Sequence, residues 1–280
     1  MIQSTHSNDD KINIMYILGI NAYHGDSAAC LVKDGILVSA AEEERFRRIK
    51  HWAGFPNKSI EFCLRDSNIS LDQVDHIAIN QDPYANLGKK FSYLLGNKID
   101  FNMLVSRIKN KSKRLNLNQQ IIANKELGTF YGKFHKIEHH MAHLSSAFHV
   151  SQFEEAVTLS VDGFGDFTST ASGFASGIDI NIEQRVFFPH SLGIFYQALT
   201  QWLGFPKYGD EYKVMGLAPY GKPTELEKMR QIVQLKDNGK FELDLEFFKH
   251  HTEDIKYEWE HGEPLIGPLF THYLEELLGP

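Results

Sequence analysis

The chain has 280 residues, 42% hydrophobic and 23% charged, with a formal net charge of -7 and a pI near 6.0. Such a composition can bury one large core or two smaller ones and excludes a disordered chain, and the acidic balance argues against a general nucleic-acid or membrane-surface binder, because a negative field repels polyanions. Two cysteines, Cys30 and Cys63, supply neither metal-thiolate spacing nor a disulfide framework, as in the reducing cytoplasm, and no apolar run approaches the roughly 20 residues of a bilayer span.

In chain order, residues 1–14 are polar and read as a loose leader. From Tyr16 to Ala41 two apolar segments meet at Lys33-Asp34-Gly35, and Asp-Gly between apolar runs predicts a β-hairpin. A charged cluster follows, then Lys58 to Asp66 with the spacing of a helix, and His76 to Asn80 as a short strand. Residues Lys89 to Arg114 carry eight Lys or Arg against one acid, Asp100. That stretch reads either as a solvated helical excursion or as a surface for phosphate or a partner. His135 to Val150 predicts a helix with Met141, Leu144 and Phe148 on one face and His139 and His143 on the other.

A second hairpin is predicted by an apolar run ending in Asp162-Gly163-Phe164-Gly165-Asp166, a turn, and then residues 169–177. The opening motif therefore recurs, which predicts two related α/β units, 15–135 and 136–280. A helical segment follows Leu192, and residues 207–221, with close glycines and a proline, read as a site loop. The sequence closes on LLGP without a terminal signature, so a longer parent protein is expected.

Several clusters have chemistry to offer. His139 and His143 stand four apart, which on a helix lets both imidazoles reach one divalent metal, although a chain with 14 histidines also produces such pairs by composition. His140 points elsewhere, to pack or to orient a neighbour, and the absence of an HExxH glutamate argues against a zinc protease. Asp162 to Asp166 reads either as a phosphate loop, with glycines admitting backbone N–H groups and carboxylates holding a cation, or as an ordinary turn. His24-Gly25-Asp26-Ser27 gathers an imidazole, an acid and a hydroxyl at a strand end. Within residues 42–51, Arg45, Lys50 or His51 could face an anionic substrate or form a salt-bridged surface helix. Tyr212 and Lys213 touch substrate or pack a loop. Neither GxxxxGK[ST] nor GxGxxG occurs.

Four segments in order, LGINAYHGDSAACLVKDGILVSAAEEERFRRIKHWAGFP, HHMAHLSSAFHVS, LSVDGFGD and YGDEYKVMGLAPYG, resemble the NodU/CmcH-type O-carbamoyltransferases, specifically their N-terminal Kae1-like domain. The resemblance runs from about Tyr16 to Gly221. It implies an α/β actin/Hsp70-like (ASKHA) fold of two RNase-H-like units, the second incomplete because the chain is truncated. It implies transfer of a carbamoyl group to a hydroxyl of a sugar or antibiotic-type molecule, from carbamoyl-adenylate that a YrdC-like domain beyond residue 280 makes from ATP and carbamoyl phosphate. His139 and His143 would hold a divalent metal, Fe2+, with a third ligand beyond the chain, and Mg2+ would accompany ATP. Asp26, Arg45, Lys50, Asp162, Gly163, Gly165 and Asp166 would bind the nucleotide-linked donor. His24 or His140, each beside a site residue, would be the general base. A sugar kinase, a tRNA threonylcarbamoyl-transferring protein and a non-catalytic nucleotide- or metal-binding module remain the alternatives on this scaffold, the acidic balance counting against RNA. A homodimer is compatible with all of them.

Overall fold

The computed structural model describes residues 14–96, 121, 127–253, 255, 257–258 and 265–279. The leader up to Asn13 and the part of the basic stretch from residue 97 to 114 lie outside them. The chain is a mixed α/β protein, and among the described residues no helix is long and apolar enough to cross a membrane.

The first apolar run makes two strands where the sequence suggested one. Strand β1 (Tyr16–Asn21) ends where Tyr23 and Asp26 take left-handed backbone, and β2 (Ala28–Lys33) returns antiparallel to it. The expected hairpin is then β2 with β3 (Ile36–Glu42), closed by Asp34 and Gly35 at positive φ. Strands β4 (His76–Ile79) and β5 (Lys133–Lys136) add in parallel, so that the sheet order is β3-β2-β1-β4-β5. The expected unit boundary at residues 135 and 136 falls within β5.

Helix α1 (Glu44–Arg47) and helix α2 (Asn57–Asp66) follow β3. Ile60, Cys63 and Leu64 of α2 bury against Leu18, Ile20, Ala29 and Leu31 of the sheet. The first turn of α2 lacks a capping side chain of its own, because Pro56 stands before it. Glu43 caps it from a distance: its fully buried carboxylate accepts from the backbone of Ser59 at 2.8 Å, from Ser59 Oγ at 3.0 Å and from Lys58 N at 3.3 Å. Negative charge is favoured at this end of a helix, and Arg47 balances it with Nε 2.8 Å from Glu43 Oε1. Helix α3 (Leu87–Gly96) opens the basic stretch.

Residues 133–136 pair as β5, so the histidine helix α4 (His139–Phe148) starts four residues later than the periodicity suggests. Glu138 sets that start by accepting from Met141 N at 2.8 Å. Next come β6 (Glu155–Gly165), β7 (Thr168–Ser176) and β8 (Asp179–Phe187), an antiparallel sheet with one strand more than the expected hairpin. The Asp162–Gly165 segment is not the turn. It is the bulged end of β6, where the register shifts between Val161 and Gly165, and the chain turns at Asp166 and Phe167, both at positive φ.

Strand β6 reverses the usual alternation. Thr158 and Ser160 are buried, whereas Val157 is 83% and Leu159 66% exposed. Helix α5 (Leu192–Trp202) packs Ile194 and Ala198 into a second core with Val186, Phe241, Phe248 and Leu274. The expected site loop contains a short helix, α6 (Glu211–Leu217), which carries Tyr212 and Lys213. Helices α7 (Leu226–Ile232) and α8 (His272–Leu278) complete the described chain, with β9 (Val233–Leu235) and β10 (Phe241–Leu243) paired between them.

Removing the Glu43 carboxylate leaves Arg47 and the start of α2 without their partner inside the protein. Glu43→Ala is expected to destabilise by about 3 kcal/mol and Glu43→Gln, which keeps an acceptor, by less. Chemical denaturation followed by circular dichroism measures the difference, and equal stability of all three proteins would refute it.

Candidate metal centre

The N-terminus of α4 faces the bulged end of β6. Helical spacing stacks His143 one turn beyond His139, and the bulge turns Asp162 toward both. His139 Nε2 lies 2.8 Å from Asp162 Oδ2, His143 Nε2 lies 3.4 Å from the same oxygen, and the two imidazole nitrogens are 2.9 Å apart. The carbonyl of Asn80, just beyond β4, accepts from His139 Nδ1 at 3.2 Å, which turns the Nε2 lone pair toward the centre.

Two imidazole nitrogens and a carboxylate oxygen this close repel unless positive charge lies among them. A proton on His139 meets that need. Burial alone would lower the pKa of His139, but Asp162 raises it above the ordinary histidine value. Burial alone would likewise raise the Asp162 carboxyl, but hydrogen bonds from His139 and His143 hold it far below the usual carboxylate range. A divalent cation meets the need more completely, because it takes all three lone pairs. Two histidines and one carboxylate, with open positions remaining, suit iron(II). His143 and Asp162 are partly exposed, with side chains 47% and 37% accessible, so solvent reaches that side of the centre.

Glycines make the close approach feasible. A Cβ on Gly165 would overlap the His139 ring, and one on Gly193 would come within 2.7 Å of the Asp162 carbonyl. Asp166 sits behind the centre: its Oδ2 accepts from His139 N at 2.9 Å and from Asp82 N at 2.8 Å. Those two bonds join the start of α4 and the chain beyond β4 to the β6–β7 turn, so this carboxylate is committed to backbone. Burial raises its pKa despite those hydrogen bonds.

The other candidate residues divide into near and far. The His24 ring stands 5.4 Å from that of His139, and Asp26 follows it in the same turn. His140 is fully buried and uses both nitrogens, accepting from Ser160 Oγ at 2.9 Å and donating to the Thr168 carbonyl at 3.0 Å. No nitrogen is left to face a substrate hydroxyl, so the general-base expectation for His140 gives way to a packing role, and burial lowers its pKa. Gly163 N donates to Asp162 Oδ1 at 2.6 Å. Arg45 is a surface residue, paired with Glu42 at 3.5 Å and 70% exposed. Lys50 lies over the Tyr212 ring at 5.2 Å, and Lys213 pairs with Asp210 at 2.6 Å. Asn80 was not anticipated, and nothing local in HIAIN marks it, since its role depends on where α4 comes to rest.

The family described as Carbamoyltransferase N-terminus matches residues 16–258. A Synechocystis protein, sll1178, is 37% identical over 249 residues, which is 85% of this chain and 40% of that protein. Nodulation protein NolNO of Sinorhizobium fredii is 34% identical over 235 residues, covering 81% of this chain and 32% of its own length. The chain thus spans about a third to two fifths of these relatives. Among solved structures, YeaZ from Pseudomonas aeruginosa aligns over 62% of this chain and 67% of its own at 12% identity and a TM-score of 0.33, too distant to define the fold.

Gly165→Ala is expected to push the His139 ring aside and weaken divalent-metal binding by about 10-fold or more, the scale of losing a ligand's orientation. Isothermal titration of the metal-stripped protein with iron(II) under anaerobic conditions measures this, and an unchanged affinity would show that His139 is not a ligand.

Proposed function

This chain belongs to the family of carbamoyltransferase N-termini, and from that premise we propose that it forms the acceptor side of an enzyme that transfers a carbamoyl group to a hydroxyl. The observation that carries the reading is the convergence of His139, His143 and Asp162 beside the His24–Asp26 turn. Two such centres of polar chemistry, one from each sheet, meet where β1 and β6 end. The strand order of the first sheet, and a second sheet that again opens with three antiparallel strands, support an ASKHA pair of RNase-H-like units.

Bound to the two histidines and Asp162, a divalent metal, iron in this reading, would supply Lewis acidity toward the donor's oxygens. The chain's own residues do the remainder. Asn80 and Gly165 aim His139, and Asp166 fixes the start of α4. His24, expected from the sequence as a general base, has its ring 5.4 Å from that of His139, and in this reading it would instead donate toward the carbamoyl oxygen as negative charge develops there. Lys50, held over Tyr212 and next in the chain to His51, whose ring meets Asp26, would favour an anionic, phosphate-linked donor.

The donor in this proposal is carbamoyl-adenylate, made from ATP and carbamoyl phosphate by a YrdC-like domain in the part of the relatives that this chain does not span. One relative is named a nodulation protein, which makes a sugar hydroxyl the first acceptor to test; antibiotic precursors and capsular sugars fit the same chemistry. The free thiols Cys30 and Cys63 suit a cytoplasmic location.

The full-length gene product, incubated with ATP, labelled carbamoyl phosphate and a panel of amino-sugar acceptors, is expected to form a labelled carbamate ester. His143→Ala and Asp162→Ala are expected to lower the rate about 100-fold or more with the fold intact. Phosphorylated sugar in place of the carbamate would point to a kinase. ATP binding without any turnover would point to a non-catalytic module.

A further inference from the structure

We infer that Asp26 accepts the proton of the incoming hydroxyl and that His51 is the positioning residue that holds its carboxylate for the task; the inference rests on the carbamoyl-transfer reading. His51 comes from the loop between α1 and α2, some distance along the chain from the turn that it serves. Its Nδ1 lies 2.8 Å from Asp26 Oδ1. The Asp26 side chain is 48% exposed and that of His51 only 18%, so a nearly enclosed ring steadies a carboxylate that solvent and substrate can reach.

The Asp26 turn is tied to the histidine centre by a chain of hydrogen bonds. His139 Nδ1 donates to the Asn80 carbonyl, Asn80 Nδ2 donates to Asn21 Oδ1 at 3.2 Å, and Asn21 Nδ2 donates to the Asp26 carbonyl at 2.9 Å. Asp26 therefore keeps its place relative to His139.

The His51 ring is fixed as well. Its backbone N–H donates to Glu44 Oε2 at 2.9 Å, the Tyr208 ring meets its edge at 5.6 Å, and Gly209 closes over Nε2 so tightly that a Cβ there would stand 2.5 Å away. Among the described residues, Nε2 is buried and has no hydrogen-bond partner. An orphaned N–H is rarer and costlier than an orphaned lone pair, so the ring proton belongs on Nδ1, where it points at Asp26. The imidazole thus serves the carboxylate, the reverse of the order in a Ser-His-Asp triad.

In the transfer, the acceptor oxygen bonds to the carbamoyl carbon as its proton passes to Asp26. The bond from that carbon to the phosphate oxygen of the mixed anhydride breaks, and the phosphate leaves with the electron pair. Asp26 then releases the proton to water.

Residue 51 has φ of 54°, which allows a clean test in the full-length enzyme. Asparagine tolerates this left-handed backbone and places an amide N–H near the position of Nδ1, whereas glycine tolerates it without supplying a donor. Asp26→Asn is expected to lower kcat about 100-fold, and His51→Gly about 30-fold, while His51→Asn stays within about fivefold of wild type. KM for the acceptor and the metal content should hardly change. A His51→Gly enzyme at wild-type rate, or a His51→Asn enzyme no better than His51→Gly, would overturn the inference and leave the carbamoyl-transfer reading intact. A second metal equivalent that disappears with His51 would overturn it in favour of a cation site made by Asp26, Glu44 and His51. No transfer by the wild-type enzyme would remove both.

Discussion

One oxygen atom, Oδ2 of Asp166, joins the five-stranded and the three-stranded sheets. It accepts from Asp82 beyond the end of β4 and from the first residue of α4, while its own backbone turns β6 into β7. Asn86 reinforces the joint by donating to the Asp166 carbonyl at 3.0 Å and to Thr168 Oγ1 at 3.2 Å. A half-buried carboxylate is costly unless its lone pairs are used, and here backbone N–H groups from two distant segments use them. The position of His139 follows from that joint, because its own N–H is one of the two donors.

The centre is built from lone pairs that would separate if the surroundings allowed it. Helix α4 is short, but its N-terminus is held by Glu138 on one side and Asp166 on the other, and the Asn80 carbonyl sets the tautomer of His139. The bulge in β6 supplies Asp162 at the height where both imidazoles point. Glycine at 165 and 193 lets helix, strand and helix approach without side chains between them. Preorganisation of this kind leaves little rearrangement to be made when positive charge enters.

Ser160 of β6 faces inward to serve the base of α4. Ser160 lies under α4 because His140 needs a donor, and Thr168 supplies the matching carbonyl, so a buried histidine is satisfied at both nitrogens. The apolar side chains that would ordinarily take those inward positions, Val157 and Leu159, stand on the outer face. At Ser160, hydrogen-bond satisfaction at the base of α4 has outweighed the usual apolar alternation.

Local sequence was enough to mark the β2–β3 hairpin, through Asp34-Gly35; the helix over residues 57–66; and the His139/His143 pair, whose four-residue spacing means the same thing on any helix. The ordered motifs also identified the family. Alternation and turn residues could not place the break between β1 and β2 or tell a bulged strand end from a turn at Asp162–Gly165, since glycines serve both. The start of α4 was equally hidden, because residues 133–136 become a strand only by pairing with β4. What tertiary structure alone decided was partnership. Asp162 joins the histidines, Asp166 holds backbone, His140 is enclosed, and His51 reaches back to Asp26, because each of these depends on segments 20 or more residues apart meeting at distances near 3 Å. A local pattern carries the chemistry of its own side chains, and only the packed chain sets which lone pair meets which proton.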